Sequence, residues 1–248
     1  MAMRSYYIAS CVFTERFPKI SLAIQGYISA RFGMEIVRCC VPKYKVKEFE
    51  ERIPEGVARE VWRTLPTHAQ LEAGDTVYSL CHNCTNIVGE QHTGVHTLSL
   101  WELIDGDESF PCPDYSGSIV TVQDCWRSRE NRAEQNAVRN LLRKMHIRYV
   151  EAQRHGAATE FCGSSLYRAQ PPRNPKLAPK HYAVQAEGKF QPHTEVEQVA
   201  LMRAHCKGYA TDQVVCYCHY CLEGLLQGGA DGRHLAQLLL PGFIKAAQ

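Results

Sequence analysis

Cysteine closes one strand-like segment after another along this chain, and it does so twice in the same order. Residues 5–11 read as a short aromatic and β-branched strand ending at Cys11, and residues 35–37 as a second leading into Cys39-Cys40. A third, residues 76–80, ends at Cys81-His82-Asn83-Cys84. The order then restarts. Residues 118–123 form a strand ending at Asp124-Cys125, residues 147–150 a strand ahead of Cys162-Gly163, and residues 211–216 a strand leading to Cys218-His219-Tyr220-Cys221. Apolar residues at helical spacing predict helices over 17–32, with Gly33 as its C-cap, and over 129–145; residues 195–207 also read as a helix. Residues 43–65 are charged and read as helical in parts, whereas 87–102 show no clear period. The stretch 168–181, with four prolines, reads as irregular, and 105–117, rich in Asp, Pro and Gly, as a linker.

Strands alternating with helices predict an α/β fold of two pseudo-symmetric repeats with short, mostly parallel sheets. The first repeat is expected over residues 1–110. The second is expected over 118–248, including a short packing helix in the apolar tail at 234–244. In such sheets ligands bind in the loops beyond the C-terminal strand ends. Cysteines at those ends therefore converge on one edge even when they are far apart in sequence.

Twelve of the 248 residues are cysteine. No basic start followed by a long apolar stretch reads as an export signal, so a cytoplasmic location is expected and a dense disulfide framework is not. No run reaches the roughly 18–20 apolar residues of a spanning helix; attachment to a membrane-bound complex stays compatible with that. The charge of +2, from 28 Lys+Arg against 26 Asp+Glu, points to neither nucleic acid nor an anionic membrane as partner. The glycine-rich nucleotide fingerprint is missing after the first strand, so no flavin or nicotinamide site is expected, and no ferredoxin-type cysteine run occurs.

Metal or redox chemistry is the remaining explanation for so many cysteines. Thiolates are soft ligands that suit iron–sulfur clusters and zinc, and a C-x-x-C pair brings two sulfurs close enough to share one metal or cluster. Adjacent Cys39 and Cys40 can both ligate only in a tight turn around a large ligand, which a cluster meets more easily than a single ion. Zinc sites, or structural sites beside unrelated buried cysteines, stand as alternatives. His82 and His219 occupy equivalent places inside the two pairs, where they either assist the bound group and handle protons or merely fill a loop. Arg127, Arg129 and Arg132 follow Cys125 and supply positive charge near it or open a solvated helix. Cys112, in the linker, reads as an ordinary cysteine.

This ordered set resembles the cysteine-rich CCG-domain proteins, typified by the B subunit of heterodisulfide reductase and found also in lactate and glycolate oxidation systems and some succinate dehydrogenases. In that pattern Cys11 matches the lone cysteine of the first repeat, Cys39-Cys40 its double cysteine, and Cys81 and Cys84 its pair. Cys125, Phe161-Cys162-Gly163, and Cys218 with Cys221 match the second repeat. Val41 stands where the first double motif would have glycine, and Phe161 where the second would have its first cysteine. The resemblance implies a noncubane [4Fe–4S] cluster at Cys11, Cys39, Cys40, Cys81 and Cys84, beside His82. It implies a second cluster, or zinc, at Cys125, Cys162, Cys218 and Cys221. Cys216, two residues before Cys218, is a candidate fifth ligand, and Cys206 a further one. The activity implied is reduction of a disulfide or oxidation of thiols, with a small thiol or disulfide substrate. A ferredoxin-like or flavoprotein subunit would exchange electrons with it. A non-catalytic electron-transfer or docking module, and a zinc-stabilised binding protein, are the alternative functions.

Overall fold

A computed structural model describes residues 4–38 and 45–243. Cys39 and Cys40 lie outside the described residues. Two compact units divide the chain: residues 1–100 together with 240–248, and residues 101–239. The segment expected as a linker, 105–117, thus belongs to the second unit.

The first unit opens with β1 (Ser5–Ala9), followed by α1 (Cys11–Arg16), α2 (Pro18–Phe32) and β2 (Glu35–Arg38). Helices α3 (Val46–Arg52) and α4 (Val57–Thr64) lead to β3 (Thr76–Ser79), α5 (His82–Gln91) and β4 (His96–Ser99). The sheet order is β2-β1-β3-β4, and every pairing is parallel. The expected first strand is shorter than residues 5–11, because the Ser10 side chain accepts the Phe13 N–H and turns the chain into α1. Serine favours this capping role over strand continuation. Pro18 in the first turn and Gly33, at φ +61° in the left-handed region, bound α2.

The second unit repeats this plan. The chain passes into it within α6 (Leu100–Gly106), then runs through β5 (Ile119–Gln123), a single 3₁₀ turn at Trp126–Ser128, α7 (Arg132–Lys144) and β6 (Arg148–Glu151). The proline-rich excursion holds α8 (Arg173–Leu177) and a π-helical turn, Lys180–Val184. Helix α9 (Glu195–Cys206) begins with a capping box between Thr194 and Glu197. It is followed by β7 (Gln213–Cys216), α10 (His219–Gln227), β8 (Asp231–His234) and α11 (Leu235–Leu239). The order β6-β5-β7-β8 is again wholly parallel. The fold is therefore α/β, with two pseudo-symmetric parallel sheets whose cysteines stand at the C-terminal strand ends.

Central strands explain why the pattern was legible. Four of the five residues are buried in both β1 and β5, as are three of four in β7, because helices cover both faces of a parallel sheet. In the first unit Ile8, Val37 and Val77 share the core with Ile24 and Ile28 of α2, and Trp62 of α4 is fully buried. In the second, Val120, Val122, Val214 and Val215 share the core with Val138, Leu141 and Leu142 of α7. Each sheet also carries a fourth strand, β4 or β8, that its polar sequence, His-Thr-Leu-Ser or Asp-Gly-Arg-His, does not announce. Among the described residues both are edge strands, paired on one side only, which need no continuous apolar run.

Candidate metal centre

Sheet order decides where the cysteines go. In each unit the chain moves from the first strand to one neighbour and then crosses back to pair on the other side. The switch point thus lies between β1 and β3, and between β5 and β7. Crevices open at such points beyond the C-terminal strand ends. Cys11 follows β1 and Cys81 follows β3; Cys125 follows β5 and Cys218 follows β7.

The second unit shows the geometry in full. Cys125 Sγ lies 3.9 Å from Cys162 Sγ and within 4.8 Å of Cys218 Sγ, and its thiol also reaches Cys221. All four side chains are buried and none is in a disulfide. Cys218 is the extended residue capping α10, and Cys221 sits in that helix's first turn, where the N-terminal dipole favours negative charge on sulfur.

A glycine contact brings Cys162 to this group. Gly163 has φ +57°, and a Cβ there would fall 1.8 Å from the Tyr220 carbonyl oxygen; one on Gly224 would fall 2.6 Å from Gly163 Cα. The turn after Cys162 therefore lies backbone against backbone on α10, a fit that only glycine allows.

Buried cations and hydroxyls surround the thiols. Ser165 Oγ donates to the Cys162 carbonyl at 2.8 Å and lies 3.2 Å from Cys162 Sγ. Arg127 donates to Ser165 Oγ at 3.3 Å, and its guanidinium lies 5.0, 5.3 and 5.5 Å from the ring centres of Tyr220, Phe190 and Tyr182. Burial by itself raises a thiol's pKa. At Cys162 the hydrogen bond with Cys125 and the Arg127 charge outweigh it and hold this thiol below the ordinary range. Cys125 and Cys221, where burial prevails, are held well above it. Loading a metal would therefore release protons from this group.

In the first unit Cys11, Cys81 and Cys84 are buried, as is His82. Cys81 caps α5 in the same extended conformation as Cys218 caps α10, and Cys84 follows in the first turn. Cys81 and Cys84 both lie within electrostatic reach of the buried Tyr7 hydroxyl, which burial and these two thiols push upward. His219, the counterpart of His82, is buried as well.

The remaining candidates sit apart in their bonding. The Cys216 thiol, raised by burial, donates to the Cys218 carbonyl, while that of half-buried Cys206 faces the Leu225 carbonyl. Phe161 is buried and stacks on His205 with ring centres 4.1 Å apart.

Sequence reading did not find Arg139, Tyr217 or Ser165. Arg139 clamps the Asp124 carboxylate with two hydrogen bonds, of 2.7 and 2.8 Å, and also reaches Glu151. The sequence signal for this network was the Asp-Cys pair itself, where a charged residue directly follows a β-branched strand. Buried cysteines grouped in this way can hold a metal ion or cluster. No helix among the described residues is long and apolar enough to cross a membrane. No protein-family model matches the chain, and no curated protein matches it either.

Proposed function

We propose that the chain is an iron–sulfur redox subunit that reduces a disulfide or oxidises thiols, working with a ferredoxin-like or flavoprotein partner. The observation that carries this reading is the group of four buried, mutually adjacent thiols at the switch point of the second sheet. Four thiolates are what a [4Fe–4S] cluster requires. The four thiols are dry and placed beside the buried cation of Arg127, which offsets the negative charge that several thiolates bring together. Cys11, Cys81 and Cys84 occupy matching positions in the first unit, where Cys39 and Cys40 complete the five-cysteine set of the resemblance. A cluster, when bound, supplies one-electron steps. The residues around it would exclude water, hold the thiolates and, through His82, handle the proton of a thiol.

A second reading, zinc at the second set, is favoured by one distance. Tetrahedral Zn–S bonds of about 2.3 Å place sulfurs about 3.8 Å apart, and Cys125 and Cys162 are 3.9 Å apart. Metal and sulfide analysis of anaerobically purified protein separates the two. Brown protein absorbing broadly near about 400 nm, with iron and acid-labile sulfide, is expected. Iron with stoichiometric zinc would assign zinc to one set. Colourless protein with zinc and no iron would overturn the redox reading in favour of a zinc-stabilised binding protein. Iron–sulfur protein with no turnover of any thiol or disulfide would favour the electron-relay or docking role.

A further inference from the structure

We infer that Asp124 is the positioning residue of the second cysteine set, one carboxylate that ties together the three chain segments delivering Cys125, Cys162 and Cys218. The inference rests on the reading that these cysteines hold a metal; it does not depend on which metal.

Each segment reaches Asp124 by its own bond. Asp124 directly precedes Cys125 at the end of β5. Tyr217, which directly precedes Cys218 at the end of β7, donates its hydroxyl to Asp124 Oδ1 at 2.6 Å. The loop leading to Cys162 contributes twice: the Gly156 N–H donates to Asp124 Oδ2 at 2.6 Å, and Thr159 Oγ1 donates to the Asp124 carbonyl at 3.2 Å. Arg139, from α7, donates to both carboxylate oxygens. A carboxylate offers about four lone-pair sites, and here four donors use them. Asp124, Thr159 and Tyr217 are fully buried or nearly so.

Stability alone is a poor reason for this arrangement. A buried ion pair recovers little more than its own desolvation cost, and apolar residues of similar size often do as well. The first unit makes the same strand-to-cysteine turn without charge. Ser10 precedes Cys11, and a neutral chain runs from the Ser10 carbonyl through Thr14 and Ser21 to Gln25, with links of 2.7, 2.8 and 3.1 Å. What the charged version adds is reach: it ties the turn to two further cysteine-bearing segments at once. Hydrogen-bond partners that orient metal-binding turns commonly change metal affinity by about 10–100-fold.

The test uses the full chain carrying Cys11→Ser, Cys39→Ser, Cys40→Ser, Cys81→Ser and Cys84→Ser, so that the second set reports, kept reduced and metal-free and titrated with Co(II). Thiolate-to-cobalt absorption counts the bound sulfurs, and urea unfolding of the same samples records stability. The parent is expected to bind with four thiolates. Asp124→Asn and Tyr217→Phe are expected to bind at least about tenfold more weakly, with fewer thiolates or an altered ligand-field spectrum. Thr159→Val, a smaller change, decides the matter should either variant fail to fold. Folded variants that bind Co(II) within twofold of the parent, with the same spectrum, would overturn the inference. A parent that binds no Co(II) through sulfur would instead sink the metal reading beneath it.

Discussion

Alanine at Gly163 is expected to destabilise the second unit by about 4 kcal/mol or more and to abolish metal binding at its cysteine set. Two costs add. The left-handed backbone at φ +57° is itself worth about 1–2 kcal/mol against a residue with a Cβ. The larger cost is steric, because the new atom would lie 1.8 Å from the Tyr220 carbonyl oxygen and 2.6 Å from Cys221 Cα. Both are backbone, so relief requires moving the start of α10 away from Cys162. That movement separates Cys221 from Cys162, which is why stability and metal content should fall together. Gly188→Ala is the matched control: its φ is +68° but nothing lies within 4 Å of the added atom, so only the backbone cost of about 1 kcal/mol should appear. Urea unfolding with metal analysis checks both variants. Equal losses at the two positions would show that the close approach of Gly163 to α10 does not matter.

Replacing Arg139 by methionine should cost about 3–5 kcal/mol at neutral pH, since it leaves the Asp124 carboxylate buried without its cation. The dependence on pH has a definite sign. Burial would push Asp124 up, but in the native protein the Arg139 bonds and charge, with the Tyr217 and Gly156 bonds, hold it below the usual carboxylate range. Native stability from Asp124 is thus fully present above the unfolded value of about 3.9 and is lost only as pH falls through a lower one. Without Arg139 burial prevails and the folded value rises above the unfolded one. The penalty then grows as pH increases and shrinks on acidification. Of the other groups around this carboxylate, Glu151 adds negative charge and Tyr217 is held neutral, its hydroxyl raised first by burial and then by Asp124. The stability gap between native protein and Arg139→Met should therefore narrow from pH 7 towards pH 4, as followed by urea unfolding. A gap that stays constant or widens would mean that Asp124 is not the group left uncompensated.

Much of the candidate site was legible because cysteine position is a local property. The strand ending at Gln123 is apolar and β-branched, so Asp124-Cys125 had to lie at a strand end, and the same logic placed Cys11, Cys81 and Cys218. Helices α2 and α7 were legible from their apolar spacing. Strands β4 and β8 were not legible, because an edge strand with polar residues carries no local signature. Nor were the partners of the thiols. Arg127 reads as one arginine of several until Tyr182, Phe190 and Tyr220 close round it from elsewhere in the unit.

The repeated cysteine order by itself determined that this chain forms two similar α/β halves with sulfur at the strand ends. Period and spacing are set by neighbours along the chain, and burial on both faces of a parallel strand leaves a plain apolar run. Only the tertiary structure decided which sulfurs of the second half meet and what holds them. Asp124 and Tyr217 are 93 residues apart. They come within hydrogen-bonding distance because β5 and β7 pair as sheet neighbours at the point where the chain reverses its direction of travel. A contact of that kind is a product of strand order, which side-chain periodicity does not encode.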